Sequence, residues 1–385
     1  MLTFTKDLMN GIGKPFEWYF VDGSKRLPEI VRNELDKLMT EHIITRKRGS
    51  IGHITLDRPE ALNALTEEMC VAMTRALQDY AADPSIGAVV IDGAGERAFC
   101  AGGDVVLLHD SGKAGDNRAE RFWRTEYALN EYIFRYPKPY ITLIDGFVMG
   151  GGVGLSVHGR IRVAGDTTRF AMPETGIGYF PDVGGTYFLP RLGNAIGNWL
   201  GLTGANIGPD LACELGVANA YIPTDQHDAL IETLSKAKLD GSDVSVVNVM
   251  TDFVVRPPKS KGLPEAISCF DEATIPAILR ALDEDGSDWA AKQAKSLRRK
   301  SPLALSVTLE ALRRGAKFSF REAMERELDI SLGFLKTQDF YEGIRAQLID
   351  KDRNPKWSHD MGGVTQAQIA RVLARHATTP LEFLP

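Results

Sequence analysis

The sequence of 385 residues lacks the patterns that define several large classes of protein. Its four cysteines are far apart and irregularly spaced, which is typical of reduced thiols and argues against a disulfide framework or a zinc site; they are Cys70, Cys100, Cys213 and Cys269. No stretch approaches the roughly 18 consecutive apolar residues of a membrane-spanning helix. A formal net charge of −6 gives no reason to expect nucleic acid, although it leaves room for a small anionic ligand.

The N-terminal residues lack the features of a targeting segment. The stretch MLTFTKDLMNGIGKPFEWYF contains an early acid, and it has neither an apolar signal core nor an Arg-rich amphipathic pattern. We therefore expect a cytoplasmic protein. Residues 1–41 hold no interpretable motif, and we treat them as an N-terminal extension in which the apolar spacing from Leu27 to Met39 predicts a short helix.

Strands and helices alternate in the predicted structure of residues 42–240. The predicted strands are 42–46, 51–56, 86–92, 140–144 and 160–164. The predicted helices are 66–82 with Thr66 as its cap, 122–134, and a segment that begins at the glycines from 150 and ends near Gly159. This alternation predicts an α/β fold whose strands are joined by crossover helices.

The C-terminal third has a different pattern, because helices are predicted and no strand is. The predicted helices are 225–239, 273–283, 288–298, 302–315, 320–336 and 340–349. The linker is predicted near 241–264, where Pro257 and Pro258 lie. We therefore divide the chain into an α/β core over 42–240 and a helical C-terminal region over 241–385, which forms either a separate lobe or a cover over the core.

Two carboxylates lie in the apolar stretch from Met172 to Leu192, which is rich in glycine and proline. Glu174 is predicted on a turn, Asp182 on an irregular loop, and a helix begins near Gly184. Acids are rarely buried without a partner or a function, and the alternative is that Glu174 and Asp182 are both solvated loop residues. Burial is favoured here because aromatic side chains crowd the same loop, which raises the pKa of a carboxyl group; they are Tyr179, Phe180, Tyr187 and Phe188.

Two glycine loops precede these carboxylates. Gly102 and Gly103 follow a predicted strand, and Gly150-Gly-Gly152 opens a predicted helix. Such loops can cradle a phosphate, allow close packing, or form an oxyanion hole from two backbone N–H groups. The sequence has no dinucleotide-binding G-x-G-x-x-G at its first βα turn, no P-loop and no G-x-S-x-G nucleophile motif.

At these motifs the sequence resembles the crotonase (enoyl-CoA hydratase/isomerase) superfamily over roughly residues 45–240. The matching segments are DRPEALNAL at 57–65, AFCAGGD at 98–104, MGGG at 149–152 and PETGIG at 173–178. Within the superfamily it most resembles the 3-hydroxyisobutyryl-CoA hydrolase group. FPDVGG at 180–185, GGGVGLSVHG at 150–159 and FYEGIRAQLIDKDRNPKW at 340–357 carry that resemblance almost to the C-terminus.

The resemblance implies a core of ββα turns arranged in a spiral, with C-terminal helices that complete the pocket. By position, the N–H groups of Gly103 and Gly151 would form the oxyanion hole, and Glu174 matches a catalytic Glu shared with hydratases. Asp182 replaces a glycine that hydratases commonly have. Glu126 matches a substrate-contacting residue of the hydrolases. Gly154 occupies the position of the second catalytic Glu of hydratases, which disfavours hydratase activity.

The expected function is hydrolysis of the thioester of a short 3-hydroxyacyl-CoA, first of all 3-hydroxyisobutyryl-CoA. Glu174 would attack the carbonyl or activate a water, while Asp182 and Glu126 would bind the substrate hydroxyl. We expect no metal or redox cofactor, since CoA enters as part of the substrate, and no nucleic-acid or membrane partner; a homo-oligomer is left open. The alternatives are an enoyl-CoA hydratase or isomerase and a non-catalytic acyl-CoA-binding protein.

Overall fold

The computed structural model describes residues 19–21, 24–26 and 42–385. The chain divides between residues 41 and 42 into two compact units. In the first unit, strands Tyr19–Val21 (β1) and Ser24–Arg26 (β2) pair antiparallel. The helix predicted from Leu27 to Met39 lies outside the described residues.

The second unit contains a large sheet and a small one. Its strands are Ile43–Arg48 (β3), Ile51–Leu56 (β4), Ala88–Gly93 (β5), Ala98–Cys100 (β6), Tyr140–Ile144 (β7), Phe147–Met149 (β8), Ile161–Ala164 (β9), Arg169–Ala171 (β10) and Ala220–Tyr221 (β11). The large sheet has the order β11-β9-β7-β5-β4-β3, in which the hairpin β3–β4 is antiparallel and the other pairs are parallel. The small sheet has the order β10-β8-β6 and is parallel.

Most of the predicted elements are confirmed, and some were missed. The helices are Glu67–Ala82 (α1), Val105–Ala114 (α2), Arg118–Phe134 (α3), Gly151–Ser156 (α4), Gly185–Arg191 (α5), Asn194–Thr203 (α6), Pro209–Glu214 (α7), His227–Lys236 (α8), Asp243–Met250 (α9), Ile275–Asp285 (α10), Asp288–Leu297 (α11), Pro302–Gly315 (α12), Phe320–Phe334 (α13), Gln338–Ile344 (α14) and Gln366–Val372 (α15). Thr66 caps α1 as predicted, because its side chain accepts the N–H of Met69. The segment predicted as a linker contains α9, which Ser242 caps.

The large sheet is buried on both faces. Val89 and Ile91 face a core shared with α1 and α3, while Ala88 and Val90 face a second cluster with α8 and α9. The first cluster also contains side chains of α10 to α15, so the C-terminal helices cover the α/β part and residues 42–385 form one compact unit. The predicted boundary at residue 240 stays a prediction. None of the helices in the described residues is long and apolar enough to cross a membrane.

Candidate active site

Three loops meet at one edge of the small sheet. Strand β6 leads to Gly102, β8 leads to Gly150, and β10 leads to Glu174. Because parallel strands end at the same edge of a sheet, these loops lie side by side. A Cβ atom placed on Gly150 would lie 3.2 Å from Cα of Gly102 and 3.4 Å from Oε1 of Glu174. The two glycine loops and the first predicted carboxylate are therefore in contact.

The N–H groups of Gly103 and Gly151 have no hydrogen-bond acceptor within the part of the chain that the structure describes. Gly151 is the first residue of α4, where N–H groups have no partner inside the helix. The neighbours of Gly103 are tied to Leu65, since the N–H of Leu65 donates to the Gly102 carbonyl at 2.8 Å and that of Asp104 donates to the Leu65 carbonyl at 3.0 Å. Two unpaired backbone N–H groups on adjoining loops are the donors from which an oxyanion hole is commonly formed.

Glu174 opens a short 3₁₀ turn and is 7% exposed. The turn is held on two sides, because Thr175 Oγ1 donates to the Leu202 carbonyl at 2.9 Å and the N–H of Ser301 donates to the Thr175 carbonyl at 3.2 Å. Oε2 of Glu174 is buried and has no hydrogen-bond partner among the described residues. Burial, and then the charge of Asp182, raises the pKa of Glu174 well above its ordinary value.

Asp182 accepts two hydrogen bonds at one carboxylate oxygen. Its Oδ2 accepts from the hydroxyl of Tyr127 at 2.6 Å and from that of Tyr179 at 3.1 Å. Both tyrosine hydroxyls also lie within hydrogen-bond distance of Ser331 Oγ, at 2.8 and 2.6 Å. Burial raises the pKa of Asp182 to about 6, while the bonds from the two tyrosines act in the opposite direction. The hydroxyl network uses Oδ2 only, and Oδ1 takes no part in it.

Glu126 lies on α3 and is 2% exposed. Its Oε1 has no hydrogen-bond partner in the described part of the chain, and a Cβ atom placed on Gly151 would lie 2.6 Å from it. Burial, followed by the charges of Asp182 and Glu327, raises the pKa of Glu126 well above its ordinary value. Periodicity alone would place Glu126 on a helix surface, whereas the structure buries it against the second glycine loop.

Gly154 has no room for a side chain. A Cβ atom there would lie 2.8 Å from both Nδ2 of Asn130 and Cβ of Val183. Asn130 is fully buried, and neither of its amide atoms has a hydrogen-bond partner among the described residues. An acidic side chain at 154 would therefore require Asn130 and the Val183 turn to move.

The aromatic residues predicted around the carboxylates divide into two pairs. Tyr179 stacks on Trp123, with ring centroids 6.0 Å apart, and also contacts Phe180. Tyr187 and Phe188 lie on α5 and contact other rings, those of Phe134, Phe320 and Phe170. Tyr179 also donates to Asp182, so this ring forms part of the aromatic environment predicted for the carboxylates. Tyr187 and Phe188 lie beyond the start of α5 at residue 185.

Sequence reasoning missed several groups that surround the site. Tyr127 lies one residue beyond Glu126 and gave no signal, while Ser331 and Glu327 lie more than 140 residues from Asp182 on a helix that reads as amphipathic. Lys300 is also near the site, and burial lowers its pKa while the charge of Glu174 opposes this. The only feature of the sequence that could have indicated Lys300 is the cluster of basic residues at 292–300.

Cys100 and His158 lie near the glycine loops, in surroundings that do not suit catalysis. Burial raises the pKa of the Cys100 thiol to about 12, which does not suit a nucleophile. His158 is buried, its Nε2 lies 2.7 Å from the Val183 carbonyl, and burial lowers its pKa to about 4, so the ring is neutral. Within residues 42–385, no group of three or more His, Cys, Asp and Glu side chains could hold a metal ion.

The fold, with its glycine loops beside buried carboxylates, is that of the crotonase superfamily. The family model described as enoyl-CoA hydratase/isomerase matches residues 51–373, and the chain belongs to this family. Among curated relatives, the mitochondrial 3-hydroxyisobutyryl-CoA hydrolase of Danio rerio is 41% identical over 89% of this chain and 91% of its own. That of Homo sapiens is 39% identical, with the same coverage.

Two solved structures are similarly related. A carnitinyl-CoA dehydratase from Mycobacterium thermoresistibile is 41% identical with a TM-score of 0.82, and it covers 89% of this chain and 99% of its own. An enoyl-CoA hydratase from Rhodobacter sphaeroides 2.4.1 is 40% identical with a TM-score of 0.76, over 89% of this chain and 100% of its own. The predicted superfamily and fold are confirmed.

The expectation of a cytoplasmic protein is wrong by the same comparison, because the names of the curated relatives place them in mitochondria. That expectation was based on features missing from the N-terminal residues, and the composition of a folded core does not reveal its compartment.

Proposed function

We propose that this protein hydrolyses the thioester of a short 3-hydroxyacyl-CoA, with 3-hydroxyisobutyryl-CoA as the first candidate, a reaction of valine catabolism. One observation carries the proposal: buried Glu126, Glu174 and Asp182 lie around two unpaired glycine N–H groups, and Gly154 leaves no room for a further acid. The curated relatives named for this activity cover most of the chain, which supports the assignment.

The thioester oxygen is assigned to the N–H groups of Gly103 and Gly151. Attack at the carbonyl carbon turns this oxygen into an oxyanion, and both donors bind it more strongly in that state than in the ground state. One such donor is worth about 3 kcal/mol of the barrier. The unpaired state of both N–H groups supports this role, since neither must give up another acceptor.

We assign Glu174 as the reacting carboxylate, and thioester hydrolysis can then follow either of two routes. In the first, its oxygen attacks the carbonyl carbon, the C–S bond breaks, CoA leaves as the thiolate and takes up a proton, and water hydrolyses the resulting anhydride. In the second, Glu174 takes a proton from a water whose oxygen attacks directly, and CoA leaves in the same way. Both routes need ionised Glu174, and a raised pKa makes the ionised form a stronger base. Both stay open.

The substrate hydroxyl is assigned to Asp182 and Glu126. Oε1 of Glu126 has no hydrogen-bond partner among the described residues, and both tyrosine hydroxyls bond to Oδ2 of Asp182, so that Oδ1 lies outside their network. Each of these two oxygens can accept the O–H of a 3-hydroxyacyl group. An analogue without the hydroxyl would leave these buried acceptors unpaired, which costs binding free energy.

A basic cleft beside Glu174 supports CoA as the carrier of the acyl group. This cleft of about 610 Å³ includes Gly176 in its lining, two residues beyond Glu174, together with the basic side chains of Lys292, Lys295, Arg298, Arg299, Lys300 and Arg353. CoA carries several phosphate charges, which such a surface attracts. On a chain with a formal net charge of −6, this local excess of positive charge stands out.

Free thiol release tests the proposal directly. We expect 3-hydroxyisobutyryl-CoA to release CoA with a kcat/KM at least about 100-fold above that of isobutyryl-CoA, because only the first satisfies the buried acceptors. Equal kcat/KM values would show that these carboxylates do not bind the hydroxyl, and no thiol release from either substrate would reject hydrolysis.

Hydration or dehydration of an enoyl-CoA is the second candidate, because the two related structures are named for such reactions. It would use Glu174 as its single acid and base. The crowding at Gly154 disfavours it, since the second carboxylate has no space. Non-catalytic binding, the third alternative left by the sequence, is favoured by no observation. A homo-oligomer stays a prediction.

A further inference from the structure

The turn that follows Asp182 is strained. Val183 has a φ of 51° and Gly184 a φ of 86°, so two successive residues are in the left-handed region, and the first is β-branched. The N–H of Gly185 donates to the Asp182 carbonyl at 2.7 Å and closes the turn. A β-branched residue in this region is strained and persists only where its surroundings enforce it.

Glu327 supplies most of the contacts that enforce this turn. It lies on α13, is fully buried, and accepts the N–H of Gly184 at 2.7 Å with Oε2. Its Oε1 accepts the N–H of Thr186 at 2.9 Å and the Thr186 hydroxyl at 2.5 Å. The two carboxylate oxygens therefore hold the backbone one and three residues beyond Val183. On the other side, the His158 ring contacts the Val183 carbonyl at 2.7 Å.

The same helix also reaches the carboxylate of Asp182. Ser331 lies one turn beyond Glu327 and donates to its carbonyl at 2.7 Å. Ser331 Oγ contacts the hydroxyls of Tyr127 and Tyr179, which both donate to Asp182 Oδ2. Helix α13 thus holds both the backbone after Asp182 and the hydroxyl groups that orient its side chain.

Stability alone does not account for an acid at position 327. Asp182 and Glu126 are buried carboxylates close enough for their charges to interact with that of Glu327, and burial raises the pKa of Glu327 to about 8. Well-packed apolar residues commonly stabilise a core at least as well as buried charged groups do. A buried acid that lowers stability in this way is typical of sites where a functional group must be oriented.

We propose that Glu327 is a positioning residue that fixes the Val183–Gly184 turn and thereby aims Asp182 at the hydroxyl of the substrate. The proposal rests on the proposed function, in which Asp182 binds that hydroxyl. Glu327 touches neither substrate nor reacting atoms in this account and acts through Asp182 alone.

The test is the ratio of kcat/KM for 3-hydroxyisobutyryl-CoA to that for isobutyryl-CoA in Glu327→Gln. This ratio does not depend on the fraction of enzyme that is folded, so a loss of stability alone cannot change it. Gln keeps the shape but presents an NH₂ group to one of the N–H donors, which releases one side of the turn. We expect the ratio to fall at least about tenfold.

Asp329→Asn is the matched control. Asp329 is a buried carboxylate on the same helix that also accepts backbone N–H groups, those of His376 and Ala377, but it faces the C-terminal segment. We expect this variant to keep the wild-type ratio even if its melting temperature falls. If Glu327→Gln does not fold, Thr186→Val removes one donor to Glu327 and should lower the ratio by a smaller factor.

The outcomes separate the two proposals. A wild-type ratio near one contradicts the proposed function, and with it the role of Glu327. A large wild-type ratio that is unchanged in Glu327→Gln, or in Thr186→Val where that variant replaces it, contradicts the positioning role alone. A ratio that falls equally in Asp329→Asn also contradicts it, because any disturbance of α13 would then have the same effect.

Discussion

Oε1 of Glu126 lies 2.6 Å from the position that a Cβ atom on Gly151 would occupy. Glu126 is thus packed against the backbone group assigned to the oxyanion, and no side chain fits between them. In Gly151→Ala, the new methyl group would push this carboxylate and the Leu65 side chain, 2.9 Å away, from their places. The atoms that the methyl group would meet are the ends of two side chains, which can move without unfolding the protein. Their movement would nevertheless displace the Glu126 carboxylate from the site.

We therefore expect Gly151→Ala to fold and to lose activity. Its kcat/KM should fall at least about 100-fold, a loss as large as that of one oxyanion donor, because the methyl group displaces the Glu126 carboxylate beside the N–H group of residue 151. Gly362→Ala is the control, because a Cβ atom there meets nothing within 4 Å. A Gly151→Ala enzyme with more than half of the wild-type kcat/KM would contradict the assigned site.

Glu174→Gln should abolish thiol release while substrate affinity stays within about tenfold. The amide keeps the shape of the side chain but can neither attack the carbonyl nor take a proton from water. Turnover and substrate binding, measured on the same preparation, test this. Retention of most of the wild-type kcat would remove Glu174 from the mechanism.

The same substitution should stabilise the protein, and more so as the pH rises. The pKa of Glu174 is raised in the folded state, so its contribution to stability is fully present below the unfolded pKa and is lost as the pH rises through the folded pKa. Gln does not ionise and avoids this loss. The melting temperature of Glu174→Gln minus that of the wild type should therefore be larger at about pH 8 than at about pH 5. A difference that shrinks over this range would contradict the raised pKa.

Charge reversal in the basic cleft should weaken substrate binding and leave the chemical step intact. Lys292 and Lys295 are exposed and line the cleft. The double variant Lys292→Glu and Lys295→Glu should raise KM at least about tenfold with kcat within about twofold of wild type, since the lost attraction is uniform through the reaction. Lys259→Glu with Lys261→Glu makes the same charge change outside the cleft and should have little effect. Equal effects of the two pairs would show that only net charge matters.

The sequence predicted the parts of the site that lie in continuous motifs. Residue types and spacing marked Glu174, Asp182 and the two short glycine loops, and the resemblance to the crotonase superfamily then singled out Gly103 and Gly151 within those loops. Their meeting could not be derived locally, because it depends on β6, β8 and β10. Each of these strands has three residues, too few for an alternating pattern to be recognised.

Local sequence patterns could not predict which residues hold the site in place. Glu327 contacts Gly184 from 143 positions away, and an acid on an amphipathic helix is ordinarily solvated. Helix α9 was read as linker, since its valines favour strands more than helices and prolines follow it. In both cases tertiary packing determines the structure, which therefore cannot be predicted from the neighbouring residues in the sequence.

Thiol release from 3-hydroxyisobutyryl-CoA, compared with the loss of enoyl absorbance from crotonyl-CoA, tests the central claim most directly. The two assays use one enzyme preparation at one concentration. Because Gly154 is crowded by Asn130 and Val183 and no second acid can stand there, we expect rapid thiol release and a crotonyl-CoA absorbance that stays constant over the same time. Hydration of crotonyl-CoA faster than thiol release from the hydroxyacyl substrate would contradict the hydrolase assignment.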